Sequence, residues 1–163
     1  MCIRDRDFSA LQADLAALRK VENRSGGAIK IIRLSPATLA NLKRTLDRHR
    51  KGGKPIRWVH LSVHACEEGV VLADDLVSGQ WLSENMSGVE TLVINGCESD
   101  VVADWVGLVP YVVSMREAIP NADAANFCEA FWQGIAEGLD VEAAFDRSLV
   151  RVPAVAEYAE LHQ

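Results

Sequence analysis

The stretch IRWVHLSV, residues 56–63, carries apolar side chains at both odd and even positions. Successive residues of a strand face opposite ways, so this strand would be apolar on both faces. That pattern predicts a central strand of a parallel sheet, covered by helices on both sides. VETLVIN (residues 89–95) and VPYVVSM (residues 109–115) repeat it. Between and around these runs the period lengthens to that of helices. Leu11, Leu15 and Leu18 recur at i, i+4 and i+7, predicting an amphipathic helix from Phe8 to about Val21. AIKIIRL (residues 28–34) reads as a further strand. Ser35 and Pro36 then offer a cap and a first helical residue. Leu39, Leu42 and Leu46 form that helix's apolar stripe, and KGGKP (residues 51–55) ends it.

Farther along, GVVLADD (residues 69–75) and the stretch from Gln80 to Leu82 read as a small hairpin or arm. Residues 99–107 look helical. Pro120 to Asp123 opens a helix with Ala124, Phe127, Phe131 and Ile135 on its stripe. Asp140 caps a last helix through Val141, Ala144, Phe145 and Leu149, interrupted at Val150 to Pro153. Residues 151–163 form a tail without a clear pattern. Alternating elements with buried strands predict an α/β fold with a mostly parallel sheet.

Composition narrows the class. The chain has 163 residues, 49% apolar and 25% charged, which suits one soluble globular domain with its own core. No apolar run nears the ~20 residues that cross a bilayer, so no membrane partner is expected. Cys2, Cys66, Cys97 and Cys128 are scattered without a CxxC pair, which points to a reducing, cytoplasmic setting. Of the 17 Lys and Arg, 14 fall in residues 1–57, against 5 of the 23 Asp and Glu. A basic front half raises nucleic acid as a partner. The run from Lys43 to Lys54 contains no aromatic residue for base stacking, so it reads as a basic helix set against, or near, the acidic remainder of the same fold, and no nucleic acid is expected.

In parallel sheets, sites form at the carboxyl ends of strands. Two such ends carry reactive side chains: His64-Ala65-Cys66 after residues 56–63, and Asn95-Gly96-Cys97 after residues 89–95. Cys97 precedes Glu98-Ser99-Asp100, where a helix should begin, and a helix N-terminus favours thiolate. Gly96 allows a sharp turn and room for a substrate backbone. His64 on a neighbouring strand end could handle the thiol proton. The backbone N–H groups of Cys97 and Ala65 could form an oxyanion hole. Other arrangements stay open. Cys66 could be the nucleophile, and His60, His64 and Cys66 could form a metal set, although its spacing matches no zinc pattern. A lone cysteine is more often core than nucleophile, and Cys128 on its helix reads as packing.

The ordered set VHLSVHA (residues 59–65), GVVLAD (residues 69–74), LVINGCES (residues 92–99), VVSMREAI (residues 112–119) and NADAANFCEAFWQGIAEGLDVEAAFD (residues 121–146) resembles the CHAT domain family of caspase-like cysteine peptidases. The resemblance spans roughly residues 9–149. It implies a three-layer sandwich and a His–Cys dyad, with the catalytic residues falling on His64 and Cys97. It also implies a protein or peptide substrate, no metal or other cofactor, and a bacterial effector module whose sensor or adaptor domains lie upstream. The rival expectation is an inactive interaction module of the same fold. Two positions depart from the family pattern: the glycine after the catalytic His is Ala65, and Val63 precedes it. The position two before the Cys, acidic in related peptidases, is Asn95, which leaves only a slight expected preference for cationic peptides. The family's first strand would end where MCIRDR stands. Residues 1–7 are therefore expected to be a non-native leader, 8–150 a peptidase domain lacking that strand, and 151–163 a tail.

Overall fold

A computed structural model describes residues 8–34 and 36–163. The chain runs through α1 (Phe8–Arg24), α2 (Leu39–Lys51), β1 (Trp58–Ser62), β2 (His64–Cys66), β3 (Gly69–Val71), β4 (Leu76–Val77) and α3 (Gly79–Asn85). It continues through β5 (Thr91–Asn95), α4 (Asp100–Ala103), β6 (Tyr111–Met115), α5 (Asn121–Ala136), α6 (Val141–Arg151), a 3-10 turn at Pro153–Val155, and β7 (Ala159–His162). These elements form two compact units. Among the described residues, one comprises residues 8–32 with Ile119–Ala159, and the other comprises Arg33–Ala118 with Glu160–Gln163.

The second unit is an α/β sheet domain. Its main sheet has the order β1-β5-β6-β7, and the β1–β5 and β5–β6 ladders are parallel. Leu92, Val93 and Ile94 of β5 are wholly buried, as expected of a strand apolar on both faces. Leu92 and Ile94 join Leu42 and Leu46 of α2, Leu82 of α3, Met86 just after it, and Val102 of α4 in one core. β1 differs from its expectation. It stands at one end of the strand order, and its side chains alternate between half-buried and buried. Apolar residues on both faces therefore did not make it central, because only one neighbour pairs with it among the described residues.

At Val63 the chain leaves the main sheet. β2, β3 and β4 form a separate antiparallel sheet in that order. Gly69 sits at φ +149°, and a Cβ there would lie 2.1 Å from the Val77 carbonyl oxygen, so only glycine fits the β2–β3 turn. The expected hairpin is thus real over 69–77. The segment from Gln80 to Leu82 belongs instead to α3, because the Ser78 hydroxyl accepts from the Trp81 N–H and starts a helix. α2 also starts later than expected. Thr38 is its cap, accepting from the Asn41 N–H at 3.2 Å, and Pro36 precedes the helix. Ser35, expected as the cap, lies outside the described residues, as do MCIRDR and Cys2. The helix expected over 99–107 shrinks to the four residues of α4. The tail, unassigned from sequence, contributes β7 beside β6.

The other unit is helical. α1 packs on α5, and α5 packs on α6. Gly134 lets α6 close in: a Cβ there would lie 3.1 Å from that of Ala144. Phe127 stacks on Phe131 and meets Phe145 edge-on. The buried face of α1 is not the leucine stripe but Asp14, Ala17 and Val21, and Leu11 is exposed. Residues 28–34 form no ladder. Their amides bond locally instead: Ala28 to the Ser25 carbonyl, and Ile31 to the Glu22 carboxylate at 2.8 Å. The expected strand does not form. Asp140 caps α6 as expected, accepting from Ala143 N–H at 2.8 Å.

Candidate active site

The two reactive strand ends are neighbours. Ser62 stands opposite Asn95 in the parallel ladder, and the Val63 N–H donates to the Asn95 carbonyl at 3.3 Å. A Cβ on Gly96 would come within 2.3 Å of the Val63 carbonyl oxygen and 3.5 Å of the Ala65 nitrogen. The backbone carrying Cys97 therefore touches the backbone carrying His64. Gly96 does not have a positive φ. Its lack of a side chain serves close approach, not the sharp turn expected of it.

The turn is made one residue later. Glu98 has φ +57° and is the one non-glycine residue at positive φ among those described. Holding such a residue in the left-handed region costs on the order of 1–3 kcal/mol, and such strain gathers at functional sites. The following Ser99 locks the turn from beneath. It is wholly buried. Its hydroxyl donates to the Ile94 carbonyl at 2.9 Å and accepts from the Met115 N–H at 2.8 Å. Its N–H donates to the Met115 carbonyl at 2.8 Å. Nothing in the sequence marked Glu98 or Ser99, since their roles depend on β6 lying alongside.

Cys97 is exposed in this turn. It lies three residues before a helix of one turn, so α4 supplies only a small dipole, less than the longer helix expected from sequence would bring. His64 is exposed at the start of β2. Ala65 stands in β2 opposite Val70 and is not at positive φ. Alanine in place of the family's glycine therefore carries no backbone strain here.

The competing cysteines are differently placed. The Cys66 thiol donates to the Glu68 carboxylate and, together with the Glu68 N–H, holds that carboxyl below its ordinary range. Cys128 is buried in α5, and burial, reinforced by the charge of Asp14, pushes its thiol well above the usual range. It is packing, as expected. His60, His64 and Cys66 are not gathered into one ligand set. His60 belongs to the main sheet, where its Nε2 lies 3.1 Å from the Ser62 hydroxyl, and the other two belong to the small sheet. A cleft of about 160 Å³ adjoins β2, lined among others by Glu67, Glu68, Gln80, Val102 and Trp105.

The family model for the CHAT domain matches residues 4–158. The chain belongs to the CHAT domain family. The match takes in nearly the whole chain, including both strand ends of the candidate site. No curated protein matches this CHAT domain. Membership agrees with a mostly parallel sheet and associates the chain with caspase-like peptidases. No helix among the described residues is long and apolar enough to cross a membrane.

Proposed function

We propose that this CHAT domain is a cysteine endopeptidase using a His64–Cys97 dyad. The observation that carries the reading is the packing of Gly96 on the Val63–Ala65 backbone, from which the two side chains emerge on adjoining strand ends. In the proposed reaction the Cys97 sulfur, as thiolate, attacks the scissile carbonyl carbon and forms a C–S bond. The backbone N–H groups of Cys97 and Ala65 receive the charge that builds on the carbonyl oxygen. As the C–N bond breaks, protonated His64 gives its proton to the leaving amine. Neutral His64 then takes a proton from water, whose oxygen attacks the thioester. The C–S bond breaks, the acid product leaves, and the Cys97 thiolate and protonated His64 are restored. The substrate is a protein, and the domain acts in a reducing, cytoplasmic setting as the effector part of a larger bacterial signalling or defence protein.

The test is the alkylation rate of Cys97 against pH, read by mass spectrometry in the wild type and in His64→Ala. Fast labelling of Cys97 that depends on His64 is the expected result. Labelling no faster than that of Cys66 in a folded chain would favour the rival reading, an inactive interaction module. The exposed Trp105 and Leu108 are the observation on that side.

A further inference from the structure

His64 begins a cross-strand row. In the small sheet it stands directly opposite Val71, and Val71 stands directly opposite Leu76. Directly opposed residues share a face of the sheet. The alternate row, Ala65, Val70 and Val77, is turned inward, with Val70 and Val77 almost wholly buried. The row of His64, Val71 and Leu76 is the outward one: Val71 is 36% and Leu76 46% exposed. Two aliphatic side chains thus lie in solvent, side by side, in line with the proposed proton donor.

We propose that Val71 and Leu76 form the subsite for an aliphatic residue on the leaving-group side of the substrate, a reading that rests on the dyad proposed above. His64 must hand its proton to the leaving amine, so the segment after the scissile bond has to lie against His64. The Cys97 turn abuts the β2 edge of the row through Gly96, and β3 and β4 continue away from β2. Neighbouring strands lie about 4.8 Å apart, so the row extends about 10 Å beyond His64, the length of about three extended residues. The occupant is therefore an apolar side chain among the first three residues after the cleaved bond.

The platform is preformed. The Leu72 N–H donates to the Asp75 carbonyl at 2.9 Å, and the Leu76 N–H to the Asp75 carboxylate at 2.9 Å. The turn is also tied to the segment leading into α2. The Ala73 N–H donates to the Ala37 carbonyl at 3.0 Å, and the Asp74 carboxylate accepts from the Leu39 N–H at 2.9 Å. A face held this firmly pays little ordering cost when a peptide lands on it.

The experiment is cleavage of an unbiased peptide library by the wild type and by the double variant Val71→Thr, Leu76→Ser, with products sequenced by mass spectrometry. Both positions face solvent, and matched thermal unfolding midpoints confirm that the variant is folded. The expected result is enrichment of Leu, Ile, Val or Met within three residues after the cut. The ratio of kcat/KM for a leucine peptide over its serine counterpart should fall about tenfold in the variant, the scale of a lost apolar contact. Wild-type cleavage without that enrichment overturns the subsite and leaves the dyad standing, as does a ratio unchanged in the variant. A wild type that cleaves nothing, and whose Cys97 labelling ignores His64, overturns the dyad and the subsite together.

Discussion

Gly96 and Val63 meet backbone to backbone: a Cβ on Gly96 would lie 2.3 Å from the Val63 carbonyl oxygen. No real Cβ tolerates that distance, and the obstacle is main chain that cannot swing aside. Gly96→Ala should push the Cys97 turn away from β2. A displacement near 1 Å at a reacting group costs roughly a hundredfold in rate, and overpacking costs about 1–3 kcal/mol in stability. Cys97 alkylation kinetics and urea unfolding of the variant check both. A variant with unchanged labelling would mean that the contact does not position the thiol.

Ser99→Ala should be costly for a different reason. The substitution leaves the Ile94 carbonyl and the Met115 N–H without their hydroxyl partner in a fully buried place. An orphaned buried group costs about 1–3 kcal/mol. Chemical denaturation should show that loss, with faster amide exchange at Met115.

Cys128 makes stability fall at alkaline pH. Its thiol is held protonated by burial and then by Asp14, so its folded pKa is raised well above the usual range. The unfolded thiol ionises near 8.5. Between those two values the folded state binds the extra proton, so the stabilisation present below pH ~8.5 declines as pH rises. Cys128→Ala, although destabilised overall by its cavity, should lose this part of the alkaline slope. Unfolding free energies measured from pH 7 to 10 check it.

Glu68 should restrain Cys66. The thiol donates to that carboxylate, and ionising it would place two negative charges together. Glu68→Gln should therefore speed Cys66 alkylation several-fold, while Cys128 stays unreactive until the chain unfolds.

The Arg57–Glu90 pair gives an acid-side signal. Arg57 Nε and Nη2 each donate to a Glu90 carboxylate oxygen at 2.7 Å, and that hydrogen bonding holds the Glu90 carboxyl below its ordinary value. A lowered carboxyl pKa stabilises above the unfolded pKa of ~4.3, and the contribution is lost as pH falls through the folded value. Both side chains are about half exposed, so solvent screening keeps the pair near 0.5 kcal/mol. Glu90→Gln should be weaker by about that much at pH 7 and equal to the wild type near pH 3, by thermal unfolding in low salt.

Much of this architecture is local and therefore readable. β5 and β6 were legible because a short, mostly apolar run rich in β-branched residues suits a strand covered on both faces, although the same pattern in β1 marked an end strand. α5 and α6 were legible from their stripes and, for α6, from the Asp140 cap. The positions of His64 and Cys97 at strand ends followed from the same runs.

Other features depended on what lies across space. AIKIIRL has strand composition, yet it pairs with no strand, and the Ala28, Ile29 and Ile31 amides bond to Ser25 and Glu22. The Leu11-Leu15-Leu18 stripe has a helix's period, yet the buried face is Asp14, Ala17 and Val21, since packing on α5 selects for fit and not for hydrophobicity alone. The break at Val63, which moves His64 into a second sheet, leaves no mark in an unbroken apolar run. The strain at Glu98 and the buried bridge of Ser99 exist only because β6 runs beside β5.

By itself, then, the order of apolar periods determined an α/β chain with His64 and Cys97 at strand ends, because side-chain period depends only on backbone geometry. The tertiary structure decided that those ends touch, that Gly96 is the point of contact, and that His64 shares a face with Val71 and Leu76. Those facts rest on strand register and sheet order, which are set by pairing between segments far apart in the chain.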